Sequence, residues 1–262
     1  MSRPLIEING LRAGYGSVPV LRDLSLAVER GEFTAILGPN GSGKTTLIRL
    51  LSGVLPCAAG SIRIAGNDIR LLSPKARACQ CATVAQKHPD LSGLRALSVV
   101  LMGRYPHVSM LGDYTPADHE RARMAMQDTS SLELGPRTTE SLSGGEFQRI
   151  IMAKALAQDT DLILLDEAAS NLDVARTVDL YELLRARNEA GLTVLTVAHD
   201  LNLAALYCRR LVFLKNGSIV ADGPTRDVFT AQTLSEIYET PLAVAPHPIT
   251  GTPQAHLAPR VG

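Results

Sequence analysis

The sequence is short of several residue types that define specialised protein classes. Its 262 residues include no tryptophan and four cysteines, and Lys plus Arg and Asp plus Glu each number 26, so the net charge is zero. This balance does not indicate a nucleic-acid partner, since such chains are usually basic, and it leaves open only a local basic patch. The cysteines form no CxxC or CxxH pattern, which favours reduced thiols over a zinc site; they are Cys57, Cys79, Cys81 and Cys208.

Long apolar runs are missing as well. No window approaches the roughly 18 consecutive apolar residues of a membrane-spanning helix. Residues 1–8 also lack the apolar core of a secretion signal. We therefore expect any membrane role to depend on a partner that spans the bilayer. With 45% hydrophobic and 20% charged residues, the chain has the composition of a globular protein with one large α/β domain or two small ones.

Short apolar runs predict buried strands that alternate with helices. The runs at 33–37, 162–165 and 193–198 are typical of strands buried on both faces. Helices predicted over 44–52 and 174–189 connect such strands, and this βαβ pattern predicts a mostly parallel sheet.

The remaining segments have a different character. Early apolar segments, with residues 61–64 and a turn at 65–68, predict a hairpin that returns to the N-terminal strands. Residues 89–158 are predicted to be mostly helical. The tail from Pro241 contains five prolines and either frays or forms a short strand or strap near residues 244–253.

A glycine-rich motif follows the first buried run. It fits the phosphate-loop pattern GxxxxGK[ST] and consists of Gly38, Pro39, Asn40, Gly41, Ser42, Gly43, Lys44 and Thr45, with Thr46 next to it. Glycines let backbone N–H groups converge on phosphate oxygens, and the helix N-terminus adds partial positive charge. The motif therefore predicts ATP binding, in which Lys44 reaches the β and γ phosphates and the Thr45 hydroxyl binds Mg²⁺.

Two acidic residues follow the second buried run. Asp166 and Glu167 come at the end of the predicted strand at 162–165, and ligands of α/β sheets bind outside the carboxyl ends of strands. We expect Asp166 to hold Mg²⁺ through a water molecule. Glu167 is expected to orient or deprotonate the attacking water, a contribution of roughly 10²–10⁴-fold to the rate.

The motif Leu-Ser-Gly-Gly-Glu at residues 142–146 identifies the class. With it, nearly the whole chain resembles the nucleotide-binding subunits of ABC transporters, whose signature this motif is. The resemblance implies a P-loop NTPase (RecA-like) α/β core with an antiparallel β subdomain and an inserted α-helical subdomain. The expected division is a core at 1–88 and 159–240, a helical subdomain at 89–158 and a tail at 241–262.

The signature motif has the chemistry of a second phosphate cradle. Ser143 and the backbone N–H groups of Gly144 and Gly145 precede a helix predicted over 146–157, and a helix N-terminus attracts anions. The resemblance implies that this cradle closes on the ATP of a second copy. Two ATP molecules would then be sandwiched in a head-to-tail homodimer.

The resemblance also implies roles for single residues. Tyr15 matches the aromatic residue that stacks on adenine, and Gln86 matches the glutamine that senses Mg²⁺ and the attacking water. His199 matches the switch histidine at the γ-phosphate, and Asp173 matches a loop residue at the dimer interface. The chain departs from the family at residues 147 and 168, where Phe replaces a polar residue and Ala replaces the usual proline.

Three segments are similar to the subfamily that serves iron–siderophore, haem and cobalamin importers: residues 103–107, 198–204 and 247–253. This implies transmembrane permease partners, two in number, and a periplasmic or lipoprotein substrate-binding protein as an indirect partner. The subunit would be peripheral on the cytoplasmic face of the cell membrane. The permease is expected to dock near residues 104–107, with a hinge at Gln86 and the residues just after it.

Other functions stay open at this point. The chain is alternatively an ABC importer subunit for another substrate class. A soluble ABC-type ATPase acting on DNA or ribosomes would need coiled coils, zinc modules or a second ATPase half, and none is evident in the sequence. An ordinary P-loop kinase or GTPase would lack the signature motif and the switch histidine.

Overall fold

The computed structural model describes residues 3–86, 90–109, 112–169 and 172–258. The chain forms two compact units: unit 1 comprises Met1–Leu71 and Thr193–Gly262, and unit 2 comprises Leu72–Leu192. Among the described residues, no helix combines the length and apolar character needed to cross a bilayer.

The described strands and helices alternate in much of the chain. The strands are β1 (Ile6–Tyr15), β2 (Val18–Val28), β3 (Phe33–Leu37), β4 (Ala59–Ile64), β5 (Asn67–Asp68), β6 (Ala82–Val84), β7 (Leu162–Asp166), β8 (Thr193–Val197), β9 (Arg210–Lys215), β10 (Ser218–Pro224), β11 (Leu242–Pro246) and β12 (Pro253–Leu257). The α-helices are α1 (Lys44–Leu51), α2 (Pro74–Ala78), α3 (Ala96–Leu101), α4 (Pro116–Asp128), α5 (Gly144–Ala157), α6 (Val174–Glu189), α7 (Leu201–Tyr207), α8 (Thr225–Val228) and α9 (Ala231–Tyr238). Short 3₁₀ turns lie at Met102–His107, Leu132–Leu134 and Thr139–Ser141.

Unit 1 contains an antiparallel sheet and a mostly parallel one. In the first, β1 pairs with both β2 and β4, so the predicted return of the hairpin to the N-terminal strands is confirmed. In the second, β3 pairs in parallel with β8 and β9, and β10 pairs antiparallel with β9. All five residues of β3 are buried, as its continuous apolar sequence predicts.

The helix after β3 packs its apolar face inside unit 1. Helix α1 starts after Gly43, and its buried residues include Leu47, Ile48, Leu50 and Leu51. This spacing of apolar residues is that of an amphipathic helix, and the helix ends at Leu51, one residue before the predicted end.

Unit 2 combines a pair of parallel strands with a group of helices. β6 and β7 are parallel, with Val84 opposite Leu165. Helices α3, α4 and α5 contribute buried apolar residues: Val99, Val100, Ala122, Met126, Ile150 and Ile151. The prediction that residues 89–158 are mostly helical is confirmed where they are described, and helix α6 has the predicted bounds. The subdomain division at residues 88 and 158 stays a prediction.

The C-terminal tail forms a hairpin. β11 pairs antiparallel with β12, from Leu242 opposite Leu257 to Pro246 opposite Pro253. Fraying of the tail is therefore wrong up to residue 258. A strand does form, but as two strands on either side of residues 247–252 and not as one segment over the predicted residues 244–253.

Candidate functional site

The phosphate loop of unit 1 has a backbone that only glycine adopts easily. Gly38, Gly41 and Gly43 have φ angles of +143°, +77° and +106°. A β-carbon at Gly38 would lie 2.0 Å from the carbonyl oxygen of Leu214. A larger residue at position 38 would therefore displace the end of β9.

The polar groups of this loop are arranged for an anion. Lys44 is buried, and its Nζ donates to the carbonyl oxygens of Gly38 at 2.7 Å and Pro39 at 3.0 Å. The Oγ of Ser42 is buried and has no hydrogen-bond partner in the described part of the chain. Because a buried hydroxyl without a partner costs about 1–3 kcal/mol, this orphaned donor fits a nucleotide phosphate as its partner.

The rest of the loop completes the cradle at the start of α1. Thr45 is half-buried and Thr46 is buried in the first turn of the helix, whereas Asn40 is exposed. The first turn contains no acidic residue, so nothing there opposes the positive end of the helix dipole.

Unit 1 also places His199 at the strand end next to the one that precedes the phosphate loop. The N–H of Ala198 donates to the carbonyl oxygen of Ile36 at 3.2 Å, so β8 and β3 end at the same edge of the sheet. His199 and Gly38 follow these two strands, and His199 is exposed at that edge. The two strands begin 160 residues apart, so their pairing comes from the topology of the parallel sheet and not from local sequence.

Tyr15 lies at the end of β1. Its ring is 44% exposed, and its hydroxyl accepts a 2.9 Å hydrogen bond from the Nη1 of Arg49 in α1. The exposed ring leaves a face for stacking, while the hydrogen bond fixes the ring to the helix that starts at the phosphate loop.

Unit 2 brings Gln86 and Glu167 together. The parallel pairing of β6 with β7 places both residues just beyond the strand ends, and the Nε2 of Gln86 donates to the Oε2 of Glu167 at 2.5 Å. Asp166 is the last residue of β7 and is 4% exposed. Glu167 has a φ of +54°, in the left-handed region that residues other than glycine adopt infrequently.

The signature motif of unit 2 forms the start of α5. Ser143 is the N-cap: its Oγ accepts from the N–H of Glu146 at 3.3 Å, and its own N–H donates to the Oε2 of Glu146 at 2.8 Å. The Ser143 hydroxyl keeps its own proton for another acceptor. A β-carbon at Gly144 would meet no described atom within 4 Å, so the helix N-terminus is open on that side.

Asp173 lies near the signature motif. Its Oδ1 accepts from the N–H of Arg176 at 2.8 Å and caps α6, and the Cγ of Arg176 is 3.9 Å from the β-carbon position of Gly145. Residues 170–171, which belong to the same expected interface loop, and residues 87–89, which belong to the expected hinge, lie outside the described residues.

One expectation about the proposed docking segment is wrong. Arg104 does not face a partner: it is 8% exposed and donates from Nε to the Oδ1 of Asp118 and from Nη1 to the carbonyl oxygen of Ala157, both at 2.9 Å. Tyr105, next to it, is 70% exposed. An arginine in a sequence suggests a surface, and only the buried carboxylate of Asp118 shows that this arginine is structural.

Sequence reasoning also missed a contact of Gln148. Its Nε2 donates to the carbonyl oxygen of Ala168 at 2.8 Å and connects the signature helix to the turn after the acid pair. The turn is therefore held from α5 although it lacks the proline usual in the family.

Comparison with known proteins agrees with these features. Residues 21–170 match the sequence model of the family described as ABC transporter. The chain is 37% identical over 256 residues to the ferric enterobactin transport ATP-binding protein FepC of Escherichia coli (strain K12), covering 97% of this chain and 94% of FepC. It is 38% identical over 247 residues to the hemin import ATP-binding protein HmuV of Streptomyces coelicolor, covering 94% of this chain and 88% of HmuV.

A solved structure gives the same result for the fold. It shows an inward-facing ABC transporter assigned to the metal-chelate type, with a TM-score of 0.86 and 25% identity over 98% of this chain and 99% of the other. The chain thus has the fold of a solved ABC transporter, matches the family model over most of its length, and contains the phosphate loop, the acid pair and the signature motif. The chain belongs to the ABC transporter family and is one of its ATP-binding, ATP-hydrolysing subunits.

Proposed function

We propose that the protein is the ATPase subunit of a bacterial importer for a metal chelate: an iron–siderophore complex, haem or cobalamin. The similarity over nearly the full length to proteins named for ferric enterobactin transport and hemin import carries this proposal. A relative of 34% identity is named for cobalamin import, which widens the class beyond iron. Because the transported molecule is bound elsewhere in such importers, this chain supports a substrate class and not one chelate.

The phosphate loop and its neighbours would bind ATP. Tyr15 would stack on adenine, and residues 38–46 would surround the phosphates, with Lys44 neutralising charge on the β and γ phosphates. The orphaned hydroxyl of Ser42 supports this assignment because a phosphate oxygen would give it an acceptor.

Thr45, Gln86 and Asp166 are proposed to hold Mg²⁺. A hydroxyl, an amide oxygen and a carboxylate are the hard oxygen donors that Mg²⁺ prefers, directly or through water. Bound Mg²⁺ would supply neutralisation of the charge that develops on the phosphates.

Hydrolysis would depend on Glu167 and His199. The hydrogen bond from the Nε2 of Gln86 to the Oε2 of Glu167 orients the carboxylate. Glu167 would accept a proton from, or orient, the attacking water. His199 would contact the γ-phosphate from the end of β8, which pairs with the strand before the phosphate loop, and would donate a hydrogen bond to the departing phosphate.

The functional form is proposed to be a head-to-tail homodimer. One phosphate loop holds one ATP, and the open N-terminus of α5 at Ser143, Gly144 and Gly145 is a second anion cradle that would serve the ATP of the partner copy. Asp173, beside this cradle, would lie at the dimer interface. A two-fold arrangement pairs each loop with the signature motif of the other copy.

The dimer would work with two transmembrane permease subunits on the cytoplasmic face of the cell membrane. A periplasmic or lipoprotein binding protein would deliver the chelate to the permease, and no nucleic acid would take part. The exposed ring of Tyr105, which extends from an otherwise anchored segment, is the group that we assign to the permease contact.

The test first asks whether the neighbouring genes encode a permease of many transmembrane helices and then reconstitutes this chain with it. The complex in proteoliposomes should take up one of the three chelates only with ATP, and the Lys44→Ala complex should not. Uptake of another substrate class would favour the alternative importer. Failure of any permease to co-purify, with ATP hydrolysis intact, would favour a soluble ABC-type ATPase.

A further inference from the structure

The C-terminal part of the chain contacts both phosphate-facing elements of unit 1. We call residues 230–257, with helix α9 and the β11–β12 hairpin, the C-terminal segment. Nothing in its sequence resembles a catalytic or nucleotide-binding motif. Its contacts nevertheless reach the phosphate loop at one end and the helix after His199 at the other.

The first contact is between Tyr238 and the phosphate loop. Tyr238 is the last residue of α9, and its hydroxyl lies next to the backbone N–H of Gly38. Burial raises the pKa of Tyr238 to about 12, so the phenol stays protonated at neutral pH. Gly38 is thus confined on two sides, by this hydroxyl and by the carbonyl oxygen of Leu214.

Lys215 fixes the end of α9 that carries Tyr238. It is the residue after Leu214 in β9, and its Nζ donates to the carbonyl oxygen of Glu236 at 2.8 Å and pairs with the carboxylate of Glu239 at 2.8 Å. Two groups that flank Tyr238 are therefore attached to β9, the strand that pairs with β3 before the phosphate loop. The tyrosine hydroxyl is presented to Gly38 from a rigid support.

The second contact is between the hairpin and α7. The Oδ1 of Asn202 accepts from the N–H of Ala255 at 2.6 Å, and its Nδ2 donates to the carbonyl oxygen of Ala255 at 3.1 Å. The side chain of Asn202 thereby extends the edge of β12 as another strand would. Asn202 lies three residues after His199, in the first turn of α7.

The two contacts belong to one connected piece. The N–H of Leu242 in β11 donates to the Oγ of Ser235 in α9 at 3.0 Å, and this Oγ donates to the carbonyl oxygen of Leu242 at 3.4 Å. Helix α9 and the hairpin are thus joined by side-chain bonds as well as by the chain.

We infer that the C-terminal segment positions the nucleotide site, holding the phosphate loop through Tyr238 and the His199 element through Asn202. This inference rests on the proposed roles of the loop and of His199. Tyr238 and Asn202 are positioning residues, since Tyr238 acts through Gly38 and Asn202 acts through α7. The two should have separable effects: Tyr238 on the binding of ATP, which the loop performs, and Asn202 on the hydrolytic step, in which His199 takes part.

Tyr238→Phe and Asn202→Ala test this on the full-length protein, with three measurements: the Kd for ATP, kcat at saturating ATP and the thermal midpoint. Tyr238→Phe removes one hydroxyl, so the Kd should rise about three- to tenfold while kcat stays within about twofold. Asn202→Ala should lower kcat by about fivefold or more while the Kd stays within about twofold.

Matched controls remove the same groups elsewhere. Tyr114→Phe removes a hydroxyl from a half-buried ring in unit 2, and Asn67→Ala removes an exposed amide from β5. Both should match the wild type in Kd, kcat and thermal midpoint.

Three results would overturn the inference. The first is that each variant behaves like its control. The second is that the Kd rises while kcat and the thermal midpoint both fall, because that pattern indicates a general loss of structure. A reversed split, with Tyr238 acting on kcat and Asn202 on Kd, would also overturn it. A wild type that binds ATP without hydrolysing it contradicts the proposed function, and the Kd of Tyr238→Phe then decides the inference alone.

Discussion

The amide nitrogen of Gln86 lies 2.5 Å from a carboxylate oxygen of Glu167, although 81 residues separate them in the chain. The register of two short parallel strands, with Val84 opposite Leu165, produces this contact. A movement of the Gln86 side chain would therefore change the orientation of the Glu167 carboxylate. This links the proposed hinge to the proposed catalytic base through a single hydrogen bond.

Replacement of the base should separate binding from hydrolysis. We expect Glu167→Gln to lower ATP turnover by at least about 10²-fold, since the amide cannot accept the proton of water. ATP binding should persist because the phosphate loop is unchanged. The variant should collect as an ATP-bound dimer, which size-exclusion chromatography with ATP and Mg²⁺ would detect.

Glu140→Gln is the control for this change, since Glu140 is exposed on a 3₁₀ turn of the same unit. It should hydrolyse ATP like the wild type. Turnover by Glu167→Gln close to that of Glu140→Gln would show that another group activates the water.

The signature serine should serve the ATP of the other copy. We expect Ser143→Arg to block hydrolysis and to leave ATP binding by the monomer nearly unchanged, because the long side chain would obstruct the second cradle and not the first. A mixture with Lys44→Ala should recover at most one working site per heterodimer. Stopped-flow binding and phosphate release would measure the two effects.

Ser73→Arg controls for the loss of a helix cap. Ser73 caps α2 by accepting from the N–H of Ala76 at 3.2 Å, and an N-cap is worth about 1 kcal/mol at either site. The control should hydrolyse ATP normally. Loss of ATP binding by monomeric Ser143→Arg would rule out the head-to-tail arrangement.

Features set by local sequence were predictable here, and features set by distant contacts were not. The bounds of β3 follow from its continuous apolar run, α6 follows from its place between two such runs, and the phosphate loop follows from its glycines. Asn202 and Ala255 are 53 residues apart and pair through a side chain that imitates a strand. No pattern in either segment predicts that pairing, which is why the tail stayed open between fraying and strand.

The burial of Arg104 illustrates the same limit. Because arginine is usually exposed, the sequence of this segment predicts a surface. The carboxylate that pairs with Arg104 belongs to Asp118, 14 residues later, and no regular spacing of charged residues predicts this pair. The pair forms because α4 packs against the turn that contains Arg104. Tyr105 retains the exposed position that the sequence suggested for the whole segment.

The buried pair of Arg104 and Asp118 should make stability depend on pH. Hydrogen bonds from Thr115, and then the Arg104 guanidinium, lower the pKa of Asp118 to about 2. The ionised carboxylate of Asp118 then contributes about 2 kcal/mol to the free energy of unfolding. This contribution is fully present above the pKa of Asp118 in the unfolded chain, near 4, and is lost as the pH falls toward 2. In urea unfolding at pH 7, the free energy of unfolding of the wild type should exceed that of Asp118→Asn. This difference should shrink by about half near pH 3. An advantage independent of pH would mean that Asp118 acts through packing alone.

The exposed ring of Tyr105 gives the test of coupling to the permease. It lies between two buried residues, Arg104 and Pro106, so its substitution should leave the segment folded. Tyr105→Asp would place a charge in the proposed contact, at a cost of several kcal/mol unless the charge finds a partner or water. We expect a subunit that hydrolyses ATP alone, fails to co-purify with its permease and does not support chelate uptake.

Val54→Asp, at another exposed apolar position, should behave like the wild type. Normal co-purification and uptake by Tyr105→Asp would remove this segment from the permease interface, and with it part of the basis for assigning the chain to the metal-chelate importers.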